Sequence, residues 1–262
     1  MYPIERQNKI LEILAEEKIA KINLLSTRLG VSMETIRRDI HVLAQQGLIT
    51  KFYGGIKLAG EASIRETSLS VRMSENRSHK EEIGLLCADL IEERDTVFID
   101  SGTTTLHIAK HLKKFKHITV VTNSIPVLLE LLDTDLNVII IGGKLRQSEN
   151  SITSLNFLFN FDRLNITKAF ICTSGVSIES GLSDYNMEEV QTRQQIIQRA
   201  KTIFAVTDHT KFEKDVAVKV CGLEDIDGIV TDGQILPALA AKYQTKGVEI
   251  YIAEKSEVSF FD

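Results

Sequence analysis

The sequence predicts an α/β protein in two parts, an N-terminal winged helix-turn-helix followed by a larger, mostly parallel α/β domain. Three observations lead to that class. Residues 4–45 carry three helical apolar patterns with a glycine between the second and third, and two short β-runs around Gly54-Gly55 follow. From Thr96 onward, β-branched apolar runs alternate with helical stretches, the pattern of a parallel sheet covered on both faces. The charge is also divided. The 262 residues sum to −5, yet residues 1–60 hold nine Lys/Arg against six Asp/Glu, a balance of +3, while the remainder hold 22 against 30, a balance of −8. The basic end is the end with the helix-turn-helix pattern, as a module that contacts phosphates requires.

Within the first part, Ile4–Glu17 sets Ile10, Ile13 and Leu14 among Arg6, Lys9 and Glu12 and reads as an amphipathic helix. Residues 19–22 read as a short extended piece. Asn23 is placed to cap a second helix, Leu24–Leu29, which Gly30 ends. Ser32 then caps a third helix whose buried stripe is Ile36, Ile40 and Leu43. Turning about 100° per residue from Ile36 puts Glu34, Arg38, His41 and Gln45 on the outer side and Thr35 and Arg37 on its flanks. Such a face suits a DNA major groove. A merely solvated helix is the plain alternative, and the helices before it and the hairpin after it weigh against that. In the hairpin, formed by 48–52 and 56–58, Lys51, Tyr53 and Lys57 are placed to reach the sugar-phosphate backbone. The candidate DNA-contacting residues are therefore Ser32, Glu34, Thr35, Arg37, Arg38, His41, Lys51, Tyr53 and Lys57. A balance of only +3 implies weak binding by one copy, so a homo-oligomer, dimer or tetramer, is expected.

The Gly/Ser-containing stretch 59–77 reads as a linker between a DNA-binding domain, 1–58, and an α/β domain, 78–253. A helix from about Ser78 to Glu92 opens the second domain. Strands are expected at Thr96–Asp100, Ile118–Thr122, Asn137–Ile141, Lys168–Cys172, Thr202–Val206, Gly228–Thr231 and Val248–Ile252. Helices are expected at Thr103–Leu112, Pro126–Leu132, Leu155–Leu164, Met187–Arg199 and Leu236–Gln244. Ligands of such sheets bind beyond the carboxyl ends of the strands.

Four strand ends carry suitable chemistry. Asp100, Ser101, Gly102, Thr103, Thr104 and Thr105 form a Gly-containing turn into a helix, where N–H groups and hydroxyls attract an anion such as phosphate. Ordinary Ser/Thr capping is the alternative there. Asn123 stands in a polar cluster at the next strand end, Gly142 and Gly143 allow close backbone approach at the third, and Ser174-Gly175 form the fourth. Lys211 is placed to pair with a phosphate as a mobile point charge. Glu189 joins these candidate effector-binding residues, although Glu189 and Arg193, four apart on one helix, also fit a surface ion pair.

Cys87, Cys172 and Cys221 lack metal-ligand spacing and read as small apolar residues of a reducing cytoplasm. No metal site, cofactor or catalytic residue is expected. No apolar run approaches the ~20 residues of a membrane span, and the N-terminus lacks a signal-peptide core. A cytoplasmic protein without a membrane partner is expected.

Arg6, Ile10, Leu14, Ser32, Thr35, Ile36, Arg37, Arg38, Asp39 and Ile40, at these spacings, resemble the N-terminal signature of the DeoR family of bacterial transcription regulators. The wing YGGI resembles that family's HGGA, with Tyr53 in place of histidine and Lys51 where arginine is common. DSGTTT (100–105), VVTNS (120–124), IGG (141–143), SG (174–175) and DHTKF (208–212) resemble the family's C-terminal sensor domain. Asn156 stands where a glycine is usual, and Cys172-Thr173-Ser174 where small residues are common. The resemblance implies a sensor fold similar to ribose-5-phosphate isomerase, a phosphorylated sugar as effector, double-stranded operator DNA as partner, and a repressor of carbohydrate utilisation. An isomerase-like enzyme fused to a DNA-binding module is the alternative. Asp100, Asp184, Glu188, Glu189 and Lys211 are its candidate acid–base residues.

Overall fold

The computed structural model describes residues 3–17, 19–45, 48–52, 55–58, 66–156 and 158–254. The chain divides into two compact units, residues 1–63 and 64–262.

The N-terminal unit consists of α1 (Pro3–Glu17), α2 (Ile22–Leu29), α3 (Met33–Gln45) and the antiparallel pair β1 (Ile49–Phe52) and β2 (Gly55–Leu58). Ile10, Ile13 and Leu14 of α1 pack with Leu25 of α2 and with Ile36, Ile40 and Leu43 of α3, one stripe per helix. Gly30, at φ +64°, ends α2 by donating its N–H to the Ser26 carbonyl in the left-handed conformation that favours glycine. Ser32 Oγ accepts the Thr35 N–H at 3.2 Å and so caps α3 as expected. The second helix differs from expectation: it starts at Ile22, with Lys21 rather than Asn23 at its cap. Asn23 instead accepts the Leu24 N–H within the first turn. Of the extended piece 19–22, Ala20 alone bridges Ile56 and adds a third rung to the wing. Gly55 makes that approach possible, because a Cβ there would lie 2.5 Å from the Ala20 carbonyl oxygen. Away from the apolar stripe, Arg6 clamps Asp39 with two hydrogen bonds and ties α1 to α3.

The C-terminal unit is built on a seven-stranded parallel sheet. In chain order its elements are α4 (Leu69–Ser74), α5 (Arg77–Asp89), β3 (Thr96–Ile99), α6 (Leu106–Lys110), β4 (Thr119–Thr122), α7 (Ile125–Leu131), β5 (Asn137–Ile140), β6 (Lys144–Arg146), β7 (Ser151–Thr153), β8 (Lys168–Cys172), β9 (Gly175–Ser177), β10 (Gly181–Asp184), α8 (Met187–Ile197), β11 (Thr202–Val206), β12 (Val218–Cys221), β13 (Gly228–Asp232), α9 (Pro237–Gln244) and β14 (Glu249–Ala253). The sheet runs β14-β13-β11-β8-β3-β4-β5, and all seven expected strands are in it. Side chains alternate between two buried faces. Phe98, Ala169, Ile171, Ala205 and Ile229 share one core cluster with Val190 and Ile196 of α8 and Tyr243 of α9. Val97, Ile99, Phe170, Phe204 and Val230 share the other with Ile83 and Cys87 of α5, Ile108 of α6 and Val127 of α7. The chain runs outward from β3 to β5 and then returns to lay β8 on the other side of β3. The sheet's topological switch point therefore lies between β3 and β8.

Several expectations are corrected. The helix expected at Leu155–Leu164 is not seen: among the described residues there only Phe161–Arg163 is helical, a single 3-10 turn capped by the Asn160 side chain, while Leu155 and Leu158 face solvent. The helix expected from Thr103 starts at Leu106, because the Thr105 hydroxyl turns back to the Asp100 and Gly102 carbonyls. Inside the stretch read as linker, Leu69–Ser74 is helical and belongs to the second unit. The antiparallel strands β9, β10 and β12 and the hairpin β6–β7 were not expected. Among the described residues no helix is long and apolar enough to cross a membrane.

Gly84 marks the contact of α5 with α6, since a Cβ there would fall 2.6 Å from the His107 carbonyl carbon. Gly84→Ala must push the two helices apart, at a cost of about 1–3 kcal/mol. A urea titration should show the midpoint falling at unchanged slope. An unaltered midpoint would contradict the packing described.

Candidate functional site

On the N-terminal unit, the outer side of α3 carries Glu34, Arg37, Arg38 and His41 in solvent, with Ser32 exposed at its start. The Ser32 and Thr35 hydroxyls lie 2.9 Å apart. Glu34 faces both arginines, at 3.7 Å from Arg37 Nη1 and 3.9 Å from Arg38 Nε. A groove runs from the N-terminal turn of α3 to the wing, lined by Met33, Arg37, Lys51 and Phe52 and, on the α2 side, by Lys21 and Asn23. Arg37 and Lys51 are thus brought together, while Arg38 and His41 lie outside the groove. Lys57 is half-buried on β2, and Tyr53 lies outside the described residues. The sequence reading missed Lys21 and Asn23. Their place at the start of α2, where helix N–H groups are unpaired, was the available signal.

On the C-terminal unit, the loops after β3, β8 and β11 meet in one crevice at the switch point, where a ligand of an open α/β sheet is expected. Thr103 and Thr104 come from the first loop, Cys172, Thr173 and Ser174 from the second, and Thr207, Asp208, Thr210 and Lys211 from the third. Arg72, Glu75 and Asn76, at the end of α4 and the turn after it, and Lys80 of α5 complete the wall. Among the described residues, the hydroxyls of Thr103, Thr104 and Ser174 and the ammonium of Lys211 make no internal hydrogen bond or ion pair. Lys80 is 4% exposed and donates to the carbonyls of Arg72 and Glu75. Burial pushes its ammonium below the ordinary lysine value; Asp208 opposes that shift and Lys211 adds to it. Burial alone would raise the Asp208 carboxyl, but hydrogen bonds from Thr210 and the charges of Lys211 and Lys80 bring it below its usual range. Asp208 is therefore ionised at neutral pH, between two cations.

Four expected effector residues line this crevice: Thr103, Thr104, Ser174 and Lys211. Others lie beneath it and hold it. Asp100 is fully buried. Its Oδ1 accepts the Ser101 N–H at 2.8 Å, and its Oδ2 accepts the Cys172 N–H at 3.0 Å and Arg193 Nε at 2.6 Å. It thereby fastens the loop after β3 to the loop after β8, and no oxygen is left to meet a sugar hydroxyl. Asn123 accepts the Ser101 N–H from the other side, and Thr105 bonds back to the Asp100 carbonyl. Gly102 is required because a Cβ there would lie 2.1 Å from Cys172 Sγ. Gly142, Gly143 and Gly175 do not line the crevice. A Gly143 Cβ would meet the Thr153 carbonyl and a Gly175 Cβ the Lys214 carbonyl, while Gly142 is exposed at the edge of the sheet.

Glu189 and Arg193 are not a surface pair. Both are at least 96% buried, inside a ladder of alternating charge. Arg193 binds Asp100 and Asp184; Glu189 binds Arg146 at 2.7 Å and Ser151 Oγ at 2.7 Å; Arg146 and Arg72 both reach Glu66, and Arg72 also reaches Glu149. Glu66, Asp184 and Glu189 come close enough to hold a cation, but Arg72, Arg146 and Arg193 already supply their counter-charge. Burial holds the Asp100 carboxyl above its ordinary value even with Arg193 opposing.

Arg193→Met leaves Asp100 and Asp184 buried without their partner, and loss of one member of such a set costs roughly 3–5 kcal/mol. Arg193 lowers the Asp100 pKa, so its removal raises that pKa further. The variant's deficit should then be smallest in acid, where Asp100 is neutral, and should grow as pH rises above the ordinary carboxylate range. Denaturation curves of both proteins from pH 4 to 8 measure it, and a deficit independent of pH would contradict the assignment.

A DeoR-like helix-turn-helix domain matches residues 6–62, and the DeoR C terminal sensor domain matches residues 75–233. The HTH-type transcriptional regulator GolR of Listeria innocua is 31% identical over 255 residues, 97% of this chain and 100% of that protein. The glycerol-3-phosphate regulon repressor of Escherichia coli is 30% identical over 236 residues, 88% of this chain and 92% of that protein. A ribose-5-phosphate isomerase solved with phospho-erythronic acid aligns over 51% of this chain and 52% of its own, at 17% identity and a TM-score of 0.39, a remote likeness. With both domains matched in order and such relatives along nearly its whole length, the chain belongs to the DeoR family of DNA-binding transcription regulators.

Proposed function

We propose that the protein represses a carbohydrate-utilisation operon and that a phosphorylated sugar, bound at the switch-point crevice, controls its hold on operator DNA. The observation that carries the reading is the Lys211 ammonium beside Lys80, together with the hydroxyls of Thr103, Thr104 and Ser174, none of which makes an internal hydrogen bond among the described residues. Two cations and three free hydroxyls suit a phosphate, and the ionised Asp208 suits the hydroxyls of a sugar. The relative named for the glycerol-3-phosphate regulon supports a phosphorylated metabolite as the class.

In this reading, residues 1–58 bind DNA, 59–77 connect and 78–253 sense. The DNA contacts are Arg37 and Lys51 in the groove, with Arg38, Glu34 and His41 beside it. The effector contacts are Thr103, Thr104, Ser174, Lys211 and Lys80. Asp100, Asn123 and Thr105 position the loop that carries the threonines. Homo-oligomerisation in the cytoplasm fits the small positive balance of the DNA-binding unit, since paired half-sites multiply a weak single contact.

The isomerase alternative finds less support. Asp100, Asp184 and Glu189 are engaged by arginines, and Glu188 pairs in solvent with Lys144. Asp208, the carboxylate beside Lys211 in the crevice, is held below the usual range and is for that reason a weak base.

A thermal-shift panel of free sugars and their phosphates tests the proposal. Phosphates should stabilise the protein and the free sugars should not. Lys211→Ala should weaken the response by roughly 1.5–3 kcal/mol. Thr104→Asp, which puts a carboxylate where the phosphate sits, should abolish it while DNA binding stays near wild type. Stabilisation by an unphosphorylated sugar alone, or an undiminished response in Thr104→Asp, would overturn the assignment.

A further inference from the structure

Glu34 is an acid on a face that meets a polyanion. It lies in the first turn of α3, turned away from the buried stripe of Ile36, Ile40 and Leu43, with its side chain 64% exposed. The positive end of the helix dipole favours a carboxylate in that turn, but this applies to any exposed position there. The dipole does not account for a carboxylate placed between the two arginines of the outer face. Arg37 Nη1 lies 3.7 Å from it and Arg38 Nε 3.9 Å, and Arg37 also lines the groove shared with Lys51 and Lys21.

On DNA of arbitrary sequence this arrangement is a handicap. To grip a phosphate, either arginine must leave or share Glu34, and the carboxylate itself is brought into a negative potential. Repulsion of this kind lowers affinity for every sequence that does not compensate it. A base pair compensates it when it offers a hydrogen-bond donor at the carboxylate. In the major groove the donor best matched to a carboxylate is the cytosine N4 amino group. A cytosine opposite Glu34 would satisfy the acid and leave Arg37 free to turn to a neighbouring guanine.

Resting on the assignment of α3 as the recognition helix, we propose that Glu34 is a specificity residue: it selects a cytosine at one operator position and suppresses binding to unrelated DNA. Its contribution is to the ratio of specific to non-specific binding rather than to affinity as such.

The test uses the full chain and two duplexes of equal length, one selected by the wild-type protein from a random pool and one of random sequence. Glu34→Gln keeps the shape of the side chain and removes its charge. It should raise affinity for the random duplex by roughly threefold, about the salt-dependent weight of one charge. It should raise affinity for the selected duplex less or lower it, so that the ratio falls. Across single-base changes of the selected duplex, the preference at one position should move from cytosine towards adenine, the base that a glutamine reads. Arg37→Ala, measured beside it, should weaken binding to the selected duplex. If Arg37→Ala weakens binding but Glu34→Gln changes both duplexes by the same factor, the role of Glu34 is overturned and α3 stands. If neither variant alters binding to either duplex, the assignment of α3 falls and the proposal with it. A merely structural Glu34 would lower the melting temperature without moving the ratio.

Discussion

Arg193 carries its guanidinium into the interior of the sensor unit, where it meets Asp100 at the end of β3 and Asp184 at the end of β10. The geometry of the switch-point crevice depends on that contact. Taking three ionised groups out of water is costly, and the attraction among them repays the cost only when the remaining hydrogen-bonding capacity is also satisfied. Here it is. The second oxygen of Asp100 accepts the Ser101 N–H, and Arg193 shares its bonded oxygen with the Cys172 N–H. Two loops from strands adjacent in the sheet but 67 or more residues apart in sequence are thereby locked at a fixed spacing. The hydroxyls of Thr103, Thr104 and Ser174, which make no internal bond among the described residues, are held in place by neighbours that do. A site built so has its donors arranged before the ligand arrives, and less ordering remains at binding.

The two units solve the problem of size differently. The DNA-binding unit has a small apolar core, three helical stripes and the inner side of a hairpin, and it adds the buried Arg6–Asp39 pair between α1 and α3. The same short helix α3 thus carries Ile36, Ile40 and Asp39 inward and Glu34, Arg37 and Arg38 outward. The sensor unit has apolar cores on both faces of its sheet and can hold a ladder of ionic pairs in addition. Lys80 shows how closely its pocket is tied to backbone: the ammonium that faces the crevice also holds the carbonyls of Arg72 and Glu75, at the end of α4.

Much of this was legible in the order of residues. All seven parallel strands could be read because each is a short apolar run rich in β-branched or aromatic residues, a local signal, and the five inner ones are largely buried on both faces. The helix-turn-helix could be read because Gly30 and Ser32 mark its turn by local chemistry. The antiparallel strands β9, β10 and β12 left no such trace. They are three or four residues long, β9 and β10 contain Gly and Ser, and all three owe their structure to pairings such as Leu182 with Cys221. Leu155–Leu164 misled because it stands between two strands where a crossover helix is usual, and Leu155 and Leu158 are exposed. Asp100 was expected among the effector-binding residues, but the structure places it beneath the crevice, a duty that was not visible because its partner Arg193 is 93 residues away. Lys80 was legible in principle: it shares the buried stripe of α5 with Ile83 and Cys87, and a lysine in such a stripe needs an acceptor or a ligand.

Amide hydrogen exchange followed by mass spectrometry, on the full chain with and without the sugar phosphate that stabilises it most, tests the account directly. The account predicts added protection at residues 101–106, 172–175 and 207–212, the three loops of the crevice, with a change in exchange at residues 69–80. Protection confined to other segments, with these loops exchanging as in the free protein, would contradict it.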